Sequence, residues 1–478
     1  MSAAPRRLRI AQVAPPLERV PPEAYGGTER IVHELTSELV RRGHDVTVFA
    51  SGDSDVTGRL VPTVETALRP AGIEGDSGGW FAATVKLVLE RAHEFDVIHS
   101  HLEWWSVPLA RMSPVPVVAT FHGRLDLPWA DRLFEDAPDG MVAISRHQAS
   151  THPDVPWTII HNGLTLDGAP FLEDHGQAFC FVGRVDPEKG IIEAMEIARR
   201  SGRKLRIAAK VGNMARQRAY YDDVFKPALK RAGSQVEYLG ELKPAERDQL
   251  FAESYATVMP GAWPEPFGLV TIESLACGTP VLARRVGALP EIIREGVDGF
   301  FGDDAAAMAF YADRLGALDR LAIRERVIER FSAARMTDRY EELYARMSGR
   351  GPQMTAALRA KLAEGDRPEA DTGPSAEAAR AADTARSADA PPAADTARPA
   401  HAEAAGEATG RASDAPGDSA GTDSGPAENV ARAPSSADAA ARRPAPAEAR
   451  TKAPESVFTR LRSRSSGGAM RNPRADRA

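Results

Sequence analysis

The sequence predicts an α/β protein: two facing, doubly wound Rossmann-like domains followed by a disordered tail. Three observations carry this reading. Strand-length apolar runs alternate with helix-period segments through residues 1–350. The alternation comes as two series joined near 161–176. Beyond Gly351 the composition turns to Ala, Pro, Asp, Ser and Arg, with Phe458 as its only aromatic residue. Alternation at this spacing builds parallel sheets covered on both faces. A stretch so poor in apolar side chains cannot offset its ordering entropy. The expected units are 1–165, 166–350 and a tail over 351–478.

The first series opens with the buried-strand run LRIAQVA at 8–14. From Thr28 to Arg42, apolar residues at Ile31, Val32, Leu35, Leu39 and Val40 keep helical spacing. Thr28 is the expected cap and Gly43 the stop. Strands follow at 45–51, 96–100, 115–121 and 140–145. The second series runs through 178–185, 204–210, 235–240, 255–260 and 279–284. An amphipathic helical stretch from Leu321 to Met347 is expected to close the folded region, packing back toward the N-terminal domain.

Composition bounds the function. Hydrophobic residues make up 43% of the 478, enough for sizeable cores. No apolar run approaches the roughly 18 residues of a membrane helix, and MSAAPRRLRIAQVAPP has no apolar core followed by a cleavage site, so no secretion signal is expected. Two cysteines, Cys180 and Cys277, offer no disulfide framework, so a cytoplasmic location is expected. The tail is acidic over about 364–440 and basic after Arg442, so the net charge of −7 says little about the folded part. It reads best as a solvated spacer. Peripheral contact of its basic end with an acidic membrane stays open, and nucleic acid is not an expected partner.

Parallel open sheets bind ligands at the C-terminal ends of their strands. The loop after the first strand lacks the G-x-G-x-x-G of a nicotinamide-binding domain, which counts against a dehydrogenase. Gly26 and Gly27 instead precede a helix, where backbone can approach a ligand and free N–H groups can meet an anion; a plain loop turn explains them about as well. In FVGRVDPEKG, Arg184 and Lys189 lie in the loop leaving a strand, with Lys189 expected to begin a helix. Two cations at such a place suit a pyrophosphate. In WPEPFGLVTIESLACGTPVLA, Glu265 and Glu273 stand eight residues apart. A fully helical interval would put them about 12 Å apart along the axis and about 80° apart around it. That separation suits one acid on a sugar and another on a ribose, across a diphosphate.

These segments resemble glycosyltransferase family four, the retaining enzymes of GT-B fold, over roughly residues 8–348. The matching stretches are YGGTERIVHELTSELVRRGHDVTVFASGDS, TFHG, HNGLTLD, FVGRVDPEKG, VEYLGEL and EPFGLVTIESLACGTPVLA. Within the family the look is that of a subgroup typified by an avilamycin-pathway glycosyltransferase, with relatives named as UDP-glucose-dependent transferases acting on a pterin. The resemblance implies a hexosyltransferase that takes its sugar from a nucleotide diphosphate, UDP-glucose foremost and GDP-mannose behind it. The acceptor would be a small molecule or glycan, and neither cofactor nor metal is implied. By the same resemblance, Gly26 and Gly27 approach the donor phosphates, and His122 contacts the hexose near the reacting centre. Arg184 and Lys189 neutralise the departing diphosphate. Glu265 holds the hexose hydroxyls with backbone N–H groups around Phe267 and Gly268, and Glu273 binds the ribose. Ser145, Arg146 and Asn162 fall in family segments near the cleft.

Other features are read more plainly. Asp53-Ser54-Asp55 is a polar turn rather than a metal motif. His99 and His101 lack a third ligand, so cleft-lining or structural roles are expected. Trp104 and Trp105 are equally suited to stacking on an acceptor and to packing. Cys277 is expected to be a small packed side chain. Two competing readings are a GT-B enzyme of another type, and a noncatalytic sugar-nucleotide binder that acts as a scaffold through its tail.

Overall fold

The structure, a computed structural model, describes residues 7–349 except Ala24, Tyr25, Glu74 and Asn213. The expected tail, 351–478, lies outside the described residues.

Two all-parallel sheets form. In the first, β1 (Arg9–Val13), β2 (Asp45–Ser51), β3 (Arg59–Val64), β4 (Val97–Ser100), β5 (Val117–Phe121), β6 (Met141–Ala143) and β7 (Thr158–Ile159) take the order β3-β2-β1-β4-β5-β6-β7. In the second, β8 (Phe179–Arg184), β9 (Leu205–Lys210), β10 (Val236–Gly240), β11 (Ala256–Met259), β12 (Val281–Ala283) and β13 (Gly299–Phe301) take the order β10-β9-β8-β11-β12-β13. Strand order therefore reverses between β1 and β4, and again between β8 and β11. At each reversal the neighbouring crossovers diverge to opposite faces and leave a crevice. The interior strands read as unbroken apolar runs because both faces are covered: β2, for example, is buried from Val46 to Ser51. Strands β3, β7 and β13 are not in the expected set. β3 is half exposed, and the other two are no more than three residues long, so none gives a clear apolar run.

The two halves share one apolar cluster, which includes Ile10, Ile31 and Val118 from the first, Phe267, Ile272 and Val281 from the second, and Phe331, Tyr340 and Tyr344 near the C-terminal end of the described fold. The closing stretch is two helices rather than one: Arg320–Phe331 and Ala333–Met347. Ser332 separates them in an extended conformation, its hydroxyl capping the second helix by accepting the Arg335 N–H at 3.2 Å. The second helix packs on Gly27–Arg41, so the chain does return to the N-terminal half. Arg42 fastens that return by ion pairs with Asp338, at 2.7 Å, and with Glu341.

Two local expectations are corrected. Thr28 does not cap the first helix, which begins at Gly27 after Gly26 with no side-chain cap; Thr28 is already inside it. Lys189 does not begin a helix either. Pro187–Lys189 form a short turn capped by Asp186, and the helix Ile191–Arg200 starts after Gly190. Gly190 has φ +73, and a Cβ there would lie 2.7 Å from the Gly261 nitrogen, so a left-handed glycine is needed where two backbones cross.

Candidate active site at the two sheet edges

A cavity of ≈ 460 Å3 opens where the two strand-order reversals meet. Its walls are the loops the topology singles out. Pro15, Leu17, Gly26 and Gly27 follow β1, Glu103 follows β4, and His122 follows β5. Arg184, Glu188 and Lys189 lie at and after the end of β8, Met259 ends β11, and Gly261, Trp263 and the stretch from Glu265 to Gly268 follow it. Of the residues selected from sequence, Gly26, Gly27, His122, Asn162, Arg184, Lys189, Glu265, Phe267 and Gly268 all line it.

On the C-terminal side, Lys189 Nζ is ion-paired to Glu265, and both side chains are about one-fifth exposed. Glu265 sits in loop, not helix, so the helical separation considered above does not apply to it. Gly268, at φ +103, turns that loop into the eight-residue helix Leu269–Ala276 and aims the helix start at the cavity. Trp263 stands beside this pair, with the Arg124 guanidinium 4.8 Å above its ring and Lys189 Nζ 5.8 Å away. Arg184 keeps its Nε buried without a hydrogen bond, and Asn162 does the same with Oδ1. Both residues line the cavity.

Glu273 is placed differently. It does not line the cavity, and its side chain is 4% exposed. Its Oε1 is shared between Arg30 of the first helix and Arg247, the latter at 2.8 Å. Ser145 is buried, and its Oγ caps a short helix by accepting the Gln148 N–H. The Arg146 backbone N–H donates to Glu291 at 2.9 Å. Neither Ser145 nor Arg146 lines the cavity.

On the N-terminal side two carboxyl groups emerge that the sequence reading did not single out. Glu29 and Glu103 line the cavity together with Arg69 and Phe81. Glu103 accepts the backbone N–H groups of His122 and Gly123, and is itself at φ +51, an uncommon conformation outside glycine. Burial raises both carboxyls to about 7. Burial lowers His122 to about 3, so its imidazole is neutral at ordinary pH. The available signal for Glu29 was its place in the Gly-Gly-Thr-Glu string; Glu103 carried none. Trp104 packs among Phe121, Trp129 and Phe134, while Trp105 stacks on Phe81. Asp53 accepts the Ala67 N–H, and Ser54 accepts that of Val20, so this turn ties neighbouring loops together. Cys277 is fully buried.

The comparisons with known proteins agree with this architecture. Residues 25–167 match the model for Glycosyltransferase Family 4, and residues 169–330 match that for Glycosyl transferases group 1. A D-inositol 3-phosphate glycosyltransferase of Mycobacterium avium is 30% identical over 357 residues, covering 62% of this chain and 81% of the relative. An alpha-maltose-1-phosphate synthase of Mycolicibacterium smegmatis is 26% identical, covering 71% of this chain and 100% of the relative. Among solved structures, AviGT4, a glycosyltransferase of avilamycin A biosynthesis, superposes with a TM-score of 0.54 at 24% identity, covering 72% of this chain and 98% of its own. Anabaena HepE, solved with UDP-glucose, gives 0.56 at 17%, covering 71% and 100%. No helix among the described residues is long and apolar enough to cross a membrane. With both halves of the GT-B fold, one cleft between them and these relatives, the chain belongs to glycosyltransferase family 4 and is a transferase.

Proposed function

We propose that this protein is a retaining hexosyltransferase that moves a sugar from a nucleoside diphosphate, UDP-glucose being the preferred donor, to a hydroxyl of a small-molecule or glycan acceptor. One observation carries the reading: Arg184, Lys189, Glu265 and His122, from both halves of the fold, line a single cavity. Arg184 and Lys189 meet the diphosphate and stabilise charge as it develops on the leaving group. The same negative charge draws Lys189 away from Glu265, which frees that carboxylate for the hexose hydroxyls. Backbone N–H groups at Phe267 and Gly268 complete the sugar site. Glu273, which stands outside the cavity lining between Arg30 and Arg247, is given the ribose on the family resemblance.

The acceptor lies against Phe81, Leu17, Arg69, Glu29 and Glu103. The two carboxyls, near neutral in part, can donate as well as accept hydrogen bonds there. Retention follows by attack on the face the diphosphate leaves, with the leaving phosphate taking the acceptor's proton. HepE, crystallised with UDP-glucose, supports the choice of donor.

The test is a panel of nucleotide sugars, run with EDTA present, that follows both thermal shift and turnover and then the anomeric configuration of the product by NMR. The reading expects UDP-glucose to raise the melting temperature most, and to be consumed with retention. Binding without any turnover would favour the noncatalytic binder, and inversion would sink the mechanism. Loss on chelation with recovery on Mn²⁺ would bring Asp53 and Asp55 back as metal ligands.

A further inference from the structure

Behind the cavity wall runs a chain of buried polar side chains that no step of the proposed transfer uses. It links Tyr340, Thr120, His99, Tyr344, Gln12, His101 and His122 through consecutive hydrogen bonds of 2.9, 2.7, 2.6, 3.1, 2.9 and 2.9 Å. Gln12, His99, His101, Thr120, Tyr340 and Tyr344 are all fully or almost fully buried. From this chain we infer that Gln12 and His101 are positioning residues for the transfer reaction: they fix which ring nitrogen of His122 carries the proton, leaving Nδ1 as a bare acceptor for the cavity. The inference rests on the reading that His122 contacts the donor hexose.

The direction of each bond can be worked out in turn. Gln12 Nε2 donates to Tyr344 Oη, and the phenol's own proton goes to its other partner, His99 Nδ1 at 2.6 Å. The Gln12 amide therefore turns Oε1 to His101, and a carbonyl can only accept, so His101 carries its proton on Nε2. Burial keeps His101 neutral, hence Nδ1 is bare and accepts from His122 Nε2–H. His122 is neutral as well, and no described residue hydrogen-bonds its Nδ1, so a lone pair is left on a ring that lines the cavity. At the far end, His99 Nε2–H donates to Thr120, whose hydroxyl donates in turn to Tyr340.

A hexose hydroxyl meeting His122 must then donate to it. Reversing the Gln12 amide would reverse each bond as far as His122 and put an N–H at the cavity instead. The amide is held in place by Tyr344, a residue of the last helix, so the C-terminal helix sets a protonation pattern in the N-terminal half.

The experiment uses full-length protein with ¹⁵N-labelled histidine, the ring signals assigned with His101→Phe and His122→Phe. Both rings are expected in the Nε2–H form; Nδ1–H at His122 in the wild type would overturn the inference without any substitution at Gln12. Gln12→Glu introduces a carboxyl beside His101. When the pair holds an extra proton, His101 presents Nδ1–H, and His122 must switch to the Nδ1–H form. His99, His122, Tyr344 and the nearby Glu103 face this site in both proteins, so the ratio of variant to wild-type turnover on UDP-glucose isolates the new group. That ratio is expected to be low at acid pH and to recover as pH rises. Gln12→Met should lower kcat about tenfold, the equivalent of one well-aligned hydrogen bond, with UDP affinity little changed. If His122→Phe depresses turnover while both Gln12 variants keep the wild-type kcat and pH profile, positioning is refuted and the donor reading stands. If His122→Phe has no effect on turnover, the donor reading fails, while the ring signals still report whether the chain sets the tautomer.

Discussion

Glu265 and Glu273 look like a matched pair in sequence, yet the fold gives them different surroundings. Glu265 faces the cavity with one cation beside it, whereas Glu273 is buried between two arginines from different halves. Glu265→Gln should therefore depress turnover with a smaller effect on UDP binding, and Glu273→Gln should weaken UDP and donor alike. Losing a hydrogen bond to a charged group costs about 1.5–3 kcal/mol, roughly ten- to a hundredfold in affinity. Arg184→Ala should damage both steps. Affinity for UDP and turnover of the three variants decide the matter, and UDP binding abolished by Glu265→Gln but intact in Glu273→Gln would mean the donor lies the other way round. Glu29 and Glu103 give a second prediction. Burial raises each from 4.5 to about 7, so each contributes stability that is complete below pH 4.5 and is lost as pH rises through 7. The ligand-free protein should melt lower at pH 8 than at pH 5 on this account. Glu29→Gln and Glu103→Gln should each flatten that decline, and melting curves with the wild-type slope would show these carboxyls to be ordinary.

At the scale of elements, the site depends on where short segments turn. Gly190 and Gly296 both have left-handed φ, +73 and +75, but only Gly190 is crowded: a Cβ added there would meet the Gly261 nitrogen at 2.7 Å, whereas one added at Gly296 would meet nothing within 4 Å. Alanine costs about 1–2 kcal/mol in this conformation, so Gly296→Ala should lower stability by that amount alone. Gly190→Ala should cost more and should also weaken nucleotide binding, because it pushes the Lys189 turn off the loop that carries Glu265. Equal melting temperatures and equal UDP affinity for the two variants would rule out the crossing as a determinant of the site. The same crowding explains why sequence alone misplaces the helix start at Lys189. A run reading Pro-Glu-Lys-Gly-Ile-Ile looks like a helix start, and only the approach of Gly261 shows why the chain must pass through a left-handed residue first.

Across the whole molecule, two sheets, a shared apolar cluster and a returning C-terminal helix build the cleft before residue 350. Ending the chain after Gly351 should therefore leave cooperative unfolding and donor turnover nearly unchanged. A large loss of either, measured by calorimetry and by turnover, would mean that the remaining residues dock on the body.

Local chemistry was enough to read much of this protein from its sequence. Apolar runs buried on both faces announce interior strands, Gly43 marks a helix end, and the strand-end rule places Arg184 and Lys189 at the cleft, where the family resemblance adds His122. What the tertiary structure alone decided are relations between residues remote in the chain. Glu103 enters the cavity wall because β4 and β5 are neighbours, and Glu273 is claimed by Arg30, 243 residues away. The tautomer of His122 depends on Tyr344 through Gln12, 332 residues apart. No periodicity or spacing records such pairings, because hydrogen bonds and ion pairs act over a few ångströms in space, and folding sets which distant residues come that close.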